Sequence, residues 1–132
     1  MSIFKRIFGI CSTKPPADEG CWIFEGGKIE LDLSRIPELI QKGSAIRLEK
    51  KGLGYRILLV HGDDGEFHAF HNKCTHAGRR IDPLPGTSTL RCCSVGKSTW
   101  DYQGKLISGS AKEPLTGLPV EKAEGKVIIR LA

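Results

Sequence analysis

No stretch of this 132-residue chain approaches the ~18 consecutive apolar residues that a membrane-spanning helix needs. No basic run is interleaved with aromatic residues, so the net charge of +5 points to an acidic partner surface rather than to a nucleic acid. A Ser-His-Asp set, paired carboxylates and a phosphate loop are all missing, which argues against an enzyme acting alone. Internal repeats and low-complexity tracts are missing too, and with them the architectures such sequences build. No secretory signal is read ahead of the five cysteines, which are odd in number and include an adjacent pair. A disulfide framework is therefore not expected, and a reducing, cytoplasmic setting is.

What is present suits one domain with a proper core. Hydrophobic residues make up 39% of the chain and charged residues 27%, ordinary values for a globular protein. Sixteen glycines and seven prolines predict many turns between short strands. Residues 1–20 read as a flexible N-terminal tail and linker, and residues 21–132 as the domain. Within the tail, Ile3, Phe4, Ile7 and Phe8 share one face of a notional helix, a segment able to touch a membrane or a partner but too short to be stable alone. Strands are predicted at Trp22–Phe24, Ile29–Leu33, Ala45–Glu49, Tyr55–Val60, Glu66–Phe70, Lys105–Ile107, Leu118–Glu121 and Lys126–Leu131. A single helical turn is expected from Ser34, a candidate cap, to Leu39. Asp63-Asp64-Gly65 reads as a hairpin turn. This spacing indicates an all-β barrel or sandwich.

Two loops carry the chemistry. The first is Cys74-Thr75-His76-Ala77-Gly78; the second runs from Cys92 and Cys93 to Asp101. Between them, the Pro-Leu-Pro-Gly stretch suits an excursion that brings two tight turns side by side. Cys-x-His needs a bend to aim thiolate and imidazole the same way, and Gly78 can supply it. Counting from Cys93, Gly96 lies three positions on, Ser98 five, Trp100 seven and Asp101 eight.

These residues resemble the Rieske iron-sulfur family, whose pattern is Cys-x-His-x-Gly in one loop and Cys-x-x-His in a second, with a [2Fe–2S] cluster between them. The resemblance covers roughly Asp32 to Leu131. It implies an all-β Rieske-like fold of short antiparallel strands with a two-loop cluster-binding subdomain. It also implies Cys74, His76 and Cys93 as cluster ligands, with Ser98 donating to a bridging sulfide and Trp100 at the family's aromatic position. Asp101 is read as a loop anchor. The chain departs from the pattern at one place, because Gly96 stands where the second histidine belongs. Cys92, His71 or a water or exogenous ligand are the replacements considered, with Cys92 the candidate fourth ligand; His61 and His68 sit in strand-like context. The disulfide of the high-potential branch would need cysteines where Arg79 and Val95 stand, so a cluster here is expected in the lower part of the Rieske range of about −150 to +300 mV.

The function so implied is that of a Rieske-type [2Fe–2S] electron-transfer protein, or the redox subunit of an oxygenase or reductase. Lys73, Arg79, Arg80 and Lys97 would offer a positive rim to an acidic patch on a protein redox partner. Two alternatives stay open. One is a cluster-free docking subunit, similar in kind to the small subunit of assimilatory nitrite reductase. The other is a mononuclear zinc or iron site made by Cys74, His76, Cys93 and Cys92.

Overall fold

Two strands of clean alternation, β2 (Lys28–Asp32) and the last strand, β12 (Lys126–Arg130), show how this chain makes its core. In each, every second residue faces inward, and Ile29, Leu31, Val127 and Ile129 are completely buried. The computed structural model describes residues 12–50, 52–75, 78–93, 98–109 and 111–131. β2 and β12 form the middle of a four-stranded antiparallel sheet, with β1 (Trp22–Glu25) beyond β2 and β11 (Val120–Ala123) beyond β12.

The second sheet has the order β10 (Gly117–Leu118), β5 (Phe67–His71), β4 (Ile57–His61), β3 (Ala45–Leu48), again antiparallel. β4 is apolar on both faces because both are covered. Ile57 and Leu59 join the core shared with the first sheet. Leu58 and Val60 join a second core, on the side of the third sheet. That third sheet comprises β6 (Ile81–Leu84), β7 (Thr89–Cys92), β8 (Thr99–Asp101) and β9 (Leu106–Ser108) in sequential antiparallel order. Among the described residues no helix is long and apolar enough to cross a membrane.

The all-β reading therefore holds, and the strand positions agree with it to within a few residues. Three differences have physical causes. The excursion between the cysteine loops is a hairpin, β6–β7; Pro83 is tolerated because β6 is a sheet edge. The turn after β2 is capped by Asp32, whose Oδ1 accepts from Ser34 N at 3.0 Å, so Ser34 is the capped residue and not the cap. Finally, the part of the N-terminal segment that is described lies against the domain. Ser12 N and Thr13 N donate to the Asp82 carboxylate at 2.7 and 2.9 Å, and Arg47 N donates to Lys14 O at 3.1 Å. The apolar face at Ile3–Phe8 lies outside the described residues.

The turn of the β6–β7 hairpin is held from outside by Asp63, whose carboxylate accepts from Gly86 N (3.0 Å) and Ser88 N (2.8 Å). Ser88 has φ +55°, a conformation that costs a side-chain-bearing residue energy and needs such support. These amides, Gly86 first, hold the Asp63 carboxyl below its ordinary pKa. A depressed folded-state pKa gives stability that is full above the unfolded value of about 3.9 and lost as pH falls through the folded value. Asp63→Asn is thus expected to lower Tm at neutral pH, with the deficit shrinking below about pH 4; thermal melts across pH check this, and a deficit unchanged by pH contradicts it. Leu58→Ala and Leu59→Ala are each expected to cost about 2–5 kcal/mol in denaturant titrations. Only Leu58→Ala should also speed amide exchange in the cysteine loops, since only that face of β4 supports them.

Candidate metal centre

One short length of backbone brings the two cysteine loops together. Cys74 N donates to Arg79 O at 2.7 Å, and Cys93 N donates to the next carbonyl, Arg80 O, at 3.0 Å. Gly78 N closes the first loop onto Cys74 O at 2.8 Å, with Gly78 at φ +68°, the left-handed bend that glycine adopts at no steric cost. Both cysteines are fully buried, at 1% and 0% exposure. Adjacent carbonyls thereby hold the two loops at neighbouring positions, as the spacing predicts.

The sulfur chemistry of the two loops differs. Cys74 is a free thiol, in the same apolar cluster as Cys92, Leu90 and Trp100. Cys92 is the last residue of β7, opposite Ile81, and its buried thiol shares the inward face with Leu90. Cys93 follows on the opposite side of the chain and is disulfide-bonded. That disulfide was not expected from the cysteine count. It means that Cys93 must be reduced before its sulfur can ligate a metal. His76, Gly96 and Lys97 lie outside the described residues.

Ser98 is buried, and its hydroxyl oxygen accepts from Ala111 N at 2.9 Å, which leaves the hydroxyl proton for another acceptor. Trp100 is completely buried, and its indole Nε1 donates to Glu113 O at 3.1 Å rather than to a cysteine sulfur. Thr75 Oγ1 donates to the same carbonyl at 2.9 Å. Glu113 O thus joins the first loop to β8, and residues 111–116 form a third wall. The sequence carries little signal for this wall beyond Pro114 in an irregular stretch. Asp101 anchors the β8–β9 turn, with Oδ1 accepting from Gln103 N and Lys105 N, both at 2.9 Å.

Of the other histidines, His71 stands nearest in role to a ligand. It lines a cavity of about 490 Å³ with Cys74, Gly78 and Glu113, and stacks on Tyr55 with ring centroids 3.8 Å apart. Burial lowers its pKa, so it is held as neutral imidazole, the form that binds metals. His61 is committed to Leu39 O at 2.7 Å and His68 to the Asp64 carboxylate at 2.8 Å. Among the described residues no three His, Cys, Asp or Glu side chains are grouped to hold a metal ion.

Two residues that the motif does not include support the first loop. Asn72 is buried; its Oδ1 accepts from Ile81 N at 2.8 Å, while its Nδ2 has no hydrogen-bond partner. Arg56, just before β4, reaches Asn72 O and Gly78 O with its guanidinium.

A profile of the Rieske [2Fe-2S] domain matches residues 37–119, and the chain belongs to that family. Its role is accordingly Rieske-type electron transfer, and the family implies a [2Fe–2S] cluster. The chain is 36% identical over 52 residues to the glycine betaine monooxygenase oxygenase subunit of Chromohalobacter salexigens, covering 39% of this chain and 12% of that one. In structure it is similar to the quaternary ammonium Rieske monooxygenase CntA, with TM-score 0.57, 22% identity, and coverage of 72% of this chain and 30% of that one. It is also similar to the ferredoxin of carbazole 1,9a-dioxygenase from Nocardioides aromaticivorans IC177, with TM-score 0.60, 17% identity, and coverage of 70% and 88%. The chain spans less than a third of either oxygenase.

In sequence, the residues match the family's ligand pattern at three places of four: Cys74 and, once reduced, Cys93 would supply the two sulfurs and His76 one imidazole, with glycine at the position of the second. The unpartnered Asn72 Nδ2, two residues from Cys74, is a buried donor of the kind a sulfur acceptor would satisfy. The Cys93 disulfide predicts a redox requirement. Iron and sulfide uptake should be strong after reduction with a thiol and weak without it; equal uptake in both samples would contradict either the disulfide or the assignment of Cys93 as a ligand.

Proposed function

We propose that this chain is the electron-carrying component of an oxygenase or reductase system, with a [2Fe–2S] cluster held by Cys74, Cys93 and His76. The observation that carries this reading is the pair of adjacent carbonyls, Arg79 O and Arg80 O, that receive the amides of the two cysteines. A β fold alone does not call for two buried cysteines tied to consecutive carbonyls. When bound, such a cluster takes up and releases single electrons. The protein holds it with two thiolates on one side and a single imidazole on the other. Ser98 has a hydroxyl proton left to donate to a sulfur, which favours the reduced state. The fourth position is open to Cys92, His71 or a small ligand. Of these, His71 shares a cavity with Cys74, while Cys92 is directed into the apolar cluster.

Electrons would pass at the loop tips to a protein partner with an acidic patch. Lys73 and Arg79 are exposed there, and Arg80 pairs with Glu49 through two hydrogen bonds of 2.8 Å. The charge that Arg80 would present to a partner is thus offset within the chain. A cytoplasmic setting suits the unoxidised thiols of Cys21, Cys74 and Cys92, whereas the disulfide at Cys93 is the feature that such a reducing compartment would remove.

A second reading, a cluster-free docking module, is favoured by Gly96 together with the oxidised Cys93. Purification without oxygen separates the two. The carrier is expected to be brown, with iron and acid-labile sulfide in the equal ratio of a [2Fe–2S] centre; a colourless, metal-free, fully folded protein supports the docking module instead. Gly96→His is expected to raise iron occupancy. No gain would mean that the second loop has moved away from the family's geometry.

A further inference from the structure

Arg56 makes an unusual set of contacts for an arginine. Its Nε donates to Asn72 O at 3.0 Å and its Nη2 to Gly78 O at 2.8 Å. Its own carbonyl accepts from Asn72 N at 2.8 Å. The residues thus gripped stand on either side of Lys73–Ala77, the segment that contains Cys74 and His76. No carboxylate hydrogen bond to Arg56 is seen among the described residues, because the neighbouring Glu49 is engaged by Arg80 at 2.8 Å. The guanidinium is half-buried, and burial, with the nearby Arg80 charge second, lowers its pKa. A costly charge is therefore retained for the sake of two carbonyl oxygens. The planar fork of arginine can span two acceptors at fixed separation, which a lysine ammonium does not do.

We propose that Arg56 is a positioning residue, a clamp that draws together Asn72 and Gly78 at the two ends of the first cysteine loop and so fixes the geometry in which Cys74 is presented. The proposal deepens the electron-carrier reading but rests on contacts of its own. Hydrogen bonds from a charged donor are the stronger kind, and the others seen among the described loop residues come from neutral donors: Lys73 N to His71 O, Cys74 N to Arg79 O, Gly78 N to Cys74 O and Thr75 Oγ1 to Glu113 O. Releasing both ends would let the loop open without unfolding the sheets.

The test uses the full chain with Arg56→Met, which loses both charge and fork, and Arg56→Lys, which keeps the charge. Amide exchange is measured on metal-free protein at Cys74 and Gly78, with the amides of β2 and β12 as the internal reference. Exchange at Cys74 and Gly78 is expected to rise about 10–100-fold over the reference in the Met variant, and by less in the Lys variant. An Arg35→Gln control, which removes only the exposed pair with Asp18, should leave the loop unchanged. Iron-loaded samples should lose iron faster in the order wild type, Lys, Met. Loop and reference amides rising together, or no change at Cys74 and Gly78, would overturn the clamp. A colourless wild-type protein whose loop still responds to Arg56→Met would defeat the carrier reading and uphold the clamp.

Discussion

Everything at this site depends on two consecutive peptide groups. Arg79 O and Arg80 O accept from Cys74 N and Cys93 N, and neither cysteine has a water-exposed alternative. A buried amide without an acceptor costs a few kcal/mol, so the two loops are not free to separate while the fold is intact. The hydrogen bonds fix where the sulfurs start from. What the sulfurs then do is decided by redox state and by metal.

The sheets place this junction at the edge of a doubly used strand. β4 feeds one apolar row into the core of the first sheet and the alternate row into the core beneath the cysteines. A perturbation of the loop side is thereby transmitted to the structural core through the same five residues, Ile57 to His61. The third sheet is pinned separately, by Asp63 at its hairpin turn and by Trp100 and Thr75 at Glu113 O. The wall of residues 111–116 buries Ala111 and Leu115 in the cluster with Cys74 and Trp100, and its hydrogen bonds are made by main-chain groups, Ala111 N and Glu113 O. Side-chain motifs carry no information about such hydrogen bonds.

This explains what was legible in the sequence. Alternation at Ile29–Leu31 and Val127–Ile129 gave the strands directly, since inward residues must be apolar. Cys74, Gly78, Cys93, Ser98 and Trp100 were singled out by their match to the Rieske pattern, which fixes residue types at set offsets. The β6–β7 hairpin was hidden by Pro83, which reads as a breaker and is harmless only at an edge. Arg56 and Asn72 were hidden for another reason: an arginine bound to carbonyls looks in sequence like any surface charge. Trp100 was legible as the family's aromatic position but its partner was not, and the bond to Glu113 O shows a buried anchor. The disulfide at Cys93 could not be read from an odd cysteine count.

The central claim is a cluster bound through two cysteines and one histidine, in a family that uses two of each. Pulsed EPR of the chemically reduced, anaerobically prepared protein measures this directly, since it counts the imidazole nitrogens coupled to the unpaired electron. A half-integer spin signal with a strongly coupled imidazole nitrogen that is lost in His76→Ala is the predicted result; a second coupled imidazole lost in His71→Ala would assign the fourth position to His71. No coupled imidazole, or no signal from a folded and reduced sample, would contradict the account.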